Sequence, residues 1–218
     1  YIYGDYSTGR IWGARHREGR LERHQELADT SLQIVAFRVD QHGELLVTDI
    51  GGGIYRLIPR PKEVSAAKFP TRLSDTGLFV STGDHRVDPG LIPYSINAPG
   101  WADGANAERF IALPGDSKIS YRPSRGWQFP DRAALVQTLS LETEPGNPGS
   151  QRRIETRVLL KQEGEWAGYT YRWNDAQTDA MLAGKAGEEI ELHIRDGSVA
   201  GGVRRQTWRV PGRSECLG

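Results

Sequence analysis

Residues 188–195 read EEIELHIR, and the alternation of this octapeptide decides the fold class. Ile190, Leu192 and Ile194 fall on one side, and Glu189, Glu191, His193 and Arg195 on the other. A period of two with one apolar and one charged side describes a half-buried strand, because a helix would spread these residues around its circumference. Upstream, residues 152–162 (RRIETRVLLKQ) repeat the pattern: Ile154, Thr156, Val158 and Leu160 share a face, with Glu155, Arg157 and Lys161 opposite. EWAGYTYRWN follows at 165–174 after a short turn, so the two stretches predict an antiparallel hairpin. Further strands are expected at 135–141 and 205–210. Together they predict an all-β protein with an antiparallel β-sandwich or jelly roll over residues 78–212.

Toward the N-terminus the pattern shortens. Residues 1–60 read as strands at 1–3, 9–15, 32–39, 44–48 and 54–58, joined by GDYSTG, DQHG and DIGGG. These connectors are rich in residues that accept tight-turn geometry. The set has the size of a single β-propeller blade, about four strands. One blade cannot bury both of its faces, so it is expected to rest on the next domain or to belong to a larger array. IPRPKEVSAAKFPTRLSDTG (58–77) then changes character, and its prolines and charges predict a linker over 61–77 with one short helical turn. The stretch from 78 to 130 is loop-rich and aromatic, with strands expected at 108–113 and 118–121.

Composition removes several function classes. Lysine plus arginine total 28, as do aspartate plus glutamate, so no net field draws nucleic acid or an anionic membrane. No run approaches the ~20 apolar residues of a membrane span, and no signal peptide is visible. The single cysteine, Cys216, excludes an internal disulfide framework and a thiolate-rich zinc site. The histidines (His16, His24, His42, His85 and His193) have neither HxxxH nor HExxH spacing. Asp175, Thr178 and Asp179 in WNDAQTDA could offer oxygens to calcium, but a helix N-terminus capped by Asn174 or Asp175 explains them with fewer ligands to find. No metal is assigned.

Two constellations suit carbohydrate. WADGANAERF (101–110) places Trp101, Asp103 and Arg109 in one loop-to-strand segment, where an indole can stack on a sugar ring and an acid can accept from its hydroxyls. The same letters also read as an Asp-Gly turn with a tryptophan capping the core. Glu155 and Arg157 share a strand face near Tyr171, which reads either as a glycan groove or as an ion pair on a solvated sheet. A glycosidase needs two carboxylates about 5 or 6.5–9.5 Å apart. Asp103 and Glu155 are the catalytic candidates, with Glu142, Asp175 and Asp179 as other partners for Glu155.

Several of these stretches resemble known proteins. YIYGDYSTGRIWGAR (1–15) and DQHGELLVTDIGGGIYRL (40–57) resemble the closing blade of the six-bladed glucose/sorbosone dehydrogenases, which oxidise sugars with pyrroloquinoline quinone (PQQ). FPTRLSDTGLF (69–79), GLIPYSINAPGWADGANAERFIALP (90–114), RRIETRVLL (152–160), GYTYRWNDAQTDA (168–180) and RSECLG (213–218) resemble a region that follows such propellers in exported bacterial proteins and runs on into a c-type haem motif. The resemblance implies a periplasmic or extracellular module linking a propeller to a cytochrome c. It implies that Cys216, Leu217 and Gly218 are the first three positions of Cys-x-x-Cys-His, with haem c attached only in a longer protein, and residues 213–218 beginning that region. It also implies that both ends of this chain are cut from something longer. The family's cofactor-contacting lysine falls on Ser7, and its arginine pair on Gln33 and Val35. A quinone trianion needs cations there, so no cofactor and no PQQ-dependent oxidation are expected of this chain alone. The alternative is a stand-alone carbohydrate-active domain, either hydrolase or binding module.

Overall fold

The computed structural model describes residues 1–30, 32–59, 69–98, 100–123, 126–162, 164–213 and 215–217, the last without its side chain. The chain is all-β: 53% is strand, in several antiparallel sheets with no closed barrel. Among the described residues the strands are β1 Ile2–Gly4, β2 Arg10–Arg17, β3 Arg20–Asp29, β4 Ile34–Val39, β5 Leu45–Asp49, β6 Ile54–Arg56, β7 Phe79–Ser81, β8 Arg86–Val87, β9 Leu91–Pro93, β10 Asn106–Ala112, β11 Ser120–Arg122, β12 Gly126–Gln128, β13 Ala134–Glu142, β14 Gln151–Gln162, β15 Glu165–Trp173, β16 Ala180–Leu182, β17 Glu188–Arg195 and β18 Val203–Val210.

The centre is a six-stranded sheet in the order β16-β15-β14-β13-β10-β9, every neighbouring pair antiparallel. The expected 152–162/165–174 hairpin is its middle, with Gln162 opposite Glu165. Register assigns the faces. Val136, Val158 and Tyr169 lie in one cross-strand row, and Thr138, Thr156 and Tyr171 in the next. This first face carries the larger core, closed by Leu73, Phe79 and Leu91. On the second face, Leu139, Glu155 and Arg172 form one row, and Gln137, Arg157 and Thr170 another. Ile154 is an extra residue between the pairs Leu139–Glu155 and Ser140–Arg153. This bulge turns Ile154 away from the face of Thr156 and Val158, against the sequence expectation, and into the second-face core with Leu139 and Leu141.

β17 and β18 form a two-stranded ribbon, and Ile194, Trp208 and Val210 from it close that second core. The alternation read at 188–195 holds: Ile194 is buried and Glu189, Glu191, His193 and Arg195 are exposed.

Residues 1–58 differ from the single four-stranded sheet expected. They form two three-stranded sheets, β1-β2-β3 and β4-β5-β6, around a small core of Ile11, Ile34 and Val47. The strand that sequence reading missed is β3, whose side chains are mostly exposed and highly charged. The expected linker, 61–77, lies outside the described residues up to 68. From Phe69 onward it is packed structure: Phe69 stacks on Tyr169 at 3.9 Å, and Leu73 is buried in the 3₁₀ turn Leu73–Thr76. The helix anticipated after Asn174 is instead a turn between β15 and β16. There Asn174 accepts from the Thr178 backbone N–H, and Asp179 accepts from Ser74 on the neighbouring turn.

Candidate functional site

The sequence candidates do not gather on one surface. Trp101 is 86% exposed, and its indole N–H donates to Asp103 Oδ1 at 3.1 Å. Asp103 holds a positive φ of 50°, as an Asp-Gly turn allows, and Gln206 of β18 donates to its carbonyl. The turn reading therefore describes this loop, while the tryptophan stands out in solvent rather than capping the core. Tyr171 is 1% exposed, on the first face, with its hydroxyl donating to the Pro70 carbonyl at 3.0 Å. Glu155 and Arg157 occupy the opposite face, so Tyr171 cannot share a groove with them. Arg109 is opposite Gln137, in the same cross-strand row as Arg157.

Glu155 is the main surprise, being 0% exposed where a solvated face was expected. The β17–β18 ribbon covers it. Its Oε1 accepts from Arg157 at 2.5 Å, and Trp208 donates to its Oε2 at 3.4 Å. Burial pushes the carboxyl above its ordinary range, while Arg157 and the indole pull it back. A carboxyl sealed in this way has no path to a glycosidic oxygen, so it is a poor acid or base for a bound sugar.

Cys216 packs on this same face. Its thiol is 2.9 Å from the Thr170 hydroxyl, and a Cβ on Gly168 would collide with its own Cβ. Glu215, beside it in the 3₁₀ turn Glu215–Leu217, accepts from Arg209 and from the Gly212 N–H. Burial raises the thiol pKa, with the Thr170 hydrogen bond acting the other way. Haem c needs a second thioether and an axial histidine, and Cys216 is the chain's only cysteine. The residues present do not hold haem. Nor do the quinone positions offer an anion cations: Ser7 and Val35 are exposed and uncharged, and Gln33 donates its backbone N–H to Asp49.

On the first face a chain of polar groups crosses three strands. Trp173 donates to Thr156 Oγ1 at 3.0 Å, Thr156 and Thr138 hydroxyls are 2.8 Å apart, and Thr138 is 3.1 Å from His85 Nε2. His85 Nδ1 lies 3.2 Å from Glu108 Oε2. The indole donates to Thr156, either threonine hydroxyl can be the donor between the two, and where Thr138 donates to His85 that Nε2 is the accepting nitrogen. The imidazole then carries its proton on Nδ1, toward Glu108. Burial, first, and Arg153 push the His85 pKa down, against Glu108. Thr138 and Thr156 are fully buried, so this relay fixes the sheet rather than meeting a substrate.

A more open place for a ligand lies elsewhere. A cleft of about 540 Å³ opens between the N-terminal sheets and the tip of the β14–β15 hairpin. Its walls carry Tyr55 and Trp166, with Arg56, Gln162, Glu165 and Arg213 among the polar groups. Trp166 is held by the edge of Phe129 at 5.3 Å and by Lys161, whose ammonium stands 5.4 Å from the indole centroid. Arg213 lies 4.8 Å over the Tyr169 ring and donates to its hydroxyl at 2.9 Å. Burial, then Glu165, then Asp49 raise the Tyr55 pKa, so its hydroxyl stays neutral and able to donate. In the sequence Trp166 stands only as part of the predicted hairpin strand EWAGYTYRWN. An aromatic among charges at a hairpin tip was the available signal. Comparison with protein-family models, with curated proteins and with solved structures finds no match to this chain.

Proposed function

We propose that the chain is a carbohydrate-binding β-module of an exported sugar-dehydrogenase-like oxidoreductase, standing between a propeller and a cytochrome c. The cleft carries the reading. It combines two aromatic rings with neutral and charged hydrogen-bonding groups in an open volume of about 540 Å³, within the range of about 300–1,000 Å³ usual for small-molecule sites. The motifs at 1–15, 40–57 and 69–216 support the placement between propeller and cytochrome. The finer architecture follows: the six-stranded sheet and the β17–β18 ribbon are an incomplete sandwich, and residues 1–58 are blade-like meanders resting on it. A stand-alone carbohydrate-binding module is the second reading, favoured by the same cleft. Hydrolysis through Glu155 is disfavoured by its burial under Trp208.

A glycan array followed by calorimetry of the best hit tests the proposal. Trp166→Ala is expected to weaken that hit about tenfold, the loss of one stacking contact of roughly 1–2 kcal/mol. Trp101→Ala is expected to leave it unchanged. Absence of any saturable saccharide binding, or equal affinity after Trp166→Ala, would reject the cleft.

A further inference from the structure

We propose that the cleft selects acidic saccharides, those carrying a carboxylate on the ring, over their neutral counterparts; this rests on the carbohydrate reading above. The cleft walls bring two guanidinium groups, Arg56 and Arg213, against one carboxylate, Glu165. Neither arginine has a carboxylate within ion-pair distance among the described residues. Arg56 is exposed and has no hydrogen bond there either. Arg213 is half-buried, and among the described residues its one side-chain hydrogen bond is to the Tyr169 hydroxyl. Its Nε is buried and without a partner among the described residues.

A cation in that position ordinarily finds an anion, because a half-desolvated guanidinium is under-solvated and its planar fork matches a carboxylate. Glu165 is one carboxylate against two guanidinium groups, and the acids of the adjoining sheet are already engaged. Asp29 is paired with Lys185, and Glu26 with Arg10 at 3.6 Å. The Tyr169 ring under Arg213 supplies a π face but no negative charge that would neutralise it. Positive charge is therefore in excess in the lining of the cleft, which also carries the aromatic rings on which a sugar would lie. A ring carboxylate brings the missing charge and the stacking surface in one molecule. Tyr55, Gln162 and Glu165 are left for its hydroxyls.

The test uses the full chain and two probes with the same sugar backbone, one charged and one neutral: trigalacturonate and its fully methyl-esterified form, titrated by calorimetry. The acid is expected to bind about tenfold or more tightly than the ester, the worth of one charge-assisted contact. That ratio is expected to shrink as salt rises from about 50 to about 300 mM, where screening is short-ranged. Arg56→Gln, at an exposed position, is expected to narrow the ratio without moving the thermal midpoint. Arg213→Gln is expected to narrow it further, with Arg213→Lys retaining part of it. Equal affinity for acid and ester overturns the acidic selection and leaves the carbohydrate cleft standing. An acid preference that survives both arginine-to-glutamine changes overturns the assignment to these residues. Binding of neither trimer overturns the acidic selection, while the cleft itself is decided by the glycan array.

Discussion

Glu155 and Arg157 stand two residues apart on one strand, and what covers them changes their meaning. An ion pair in water is worth little, but one sealed under Trp208 is costly to break, because the survivor is left charged and desolvated. Arg157→Met is therefore expected to cost about 3 kcal/mol near neutral pH, with Glu155→Gln costing much less. The double variant is expected to recover most of the loss. The pH dependence has a definite sign. A carboxyl whose folded pKa is raised binds its proton more readily when folded, so its contribution to stability declines as pH rises through the unfolded carboxylate value to the folded one. The Arg157→Met penalty should accordingly ease between pH 7.5 and about 5, which urea unfolding at both values will read. Cys216 gives a second check at this scale. Its thiol is pushed up by burial and held against Gly168, so Ellman's reagent should react slowly with the folded chain. Gly168→Ala leaves no room for the cysteine and should speed that reaction by about tenfold or more. Equal rates in the two proteins would mean that the 3₁₀ turn is not seated there.

The strands divide by how much of their packing is local. β14, β15 and β17 were legible because one of their faces is apolar over many residues, which imposes period two on the letters. β3 was not, because RLERHQELAD is exposed along most of its length and has no apolar face to mark. It is held by its backbone ladder to β2 and by ion pairs such as Arg15–Glu22 at 3.3 Å. The readable cue was the turn: Glu18 and Gly19 both take positive φ, 50° and 76°, the geometry of a two-residue hairpin loop between Arg17 and Arg20. The solvated face expected for Glu155 failed for a different reason. Periodicity identifies which residues share a face, but whether a ribbon from fifty residues downstream will cover that face is not written in the strand itself. The relay from Trp173 to His85 joins β13, β14 and β15 to the turn after β7, and it too can be tested. Thr138→Val cuts it in the middle and leaves buried polar groups unpaired, at an expected cost of about 1–3 kcal/mol. Neutral His85 has its folded pKa below the unfolded value of about 6.5. Its contribution is thus fully present above that value and lost as pH falls through the folded pKa. The charges of Glu108 and Arg153 act on His85 in opposite directions, the first raising and the second lowering its pKa. In His85→Asn, which tolerates the positive φ of 52° at this position, the decline of stability below about pH 6.5 should flatten.

At the scale of the whole molecule, the fold class was readable and the candidate site was not. Trp101 and Asp103 looked like a sugar platform because their chemistry is right, yet they bond to each other on an exposed turn. The cleft arises where β6 and the segment after it meet the far end of the β14–β15 hairpin, more than a hundred residues away in the chain. No local pattern announces such a meeting: Arg56 and Arg213 lie in stretches 40–57 and 213–218, which carry no sign that the two come together. Charges on both sides of the junction hold it, with Lys185 beside β16 reaching Asp29 on β3. Breaking that contact with Lys185→Met is expected to lower affinity for any cleft ligand while the larger core, centred on Val136, Val158 and Tyr171, stays intact. The most direct measurement of the central claim is amide chemical-shift mapping during titration with the saccharide that binds best. The account expects the largest shifts at Tyr55, Arg56, Leu57 and Gln162 and through Glu165, Trp166 and Ala167. Shifts confined to Trp101, Asp103 and the β17–β18 ribbon, with the cleft amides unmoved, would contradict it.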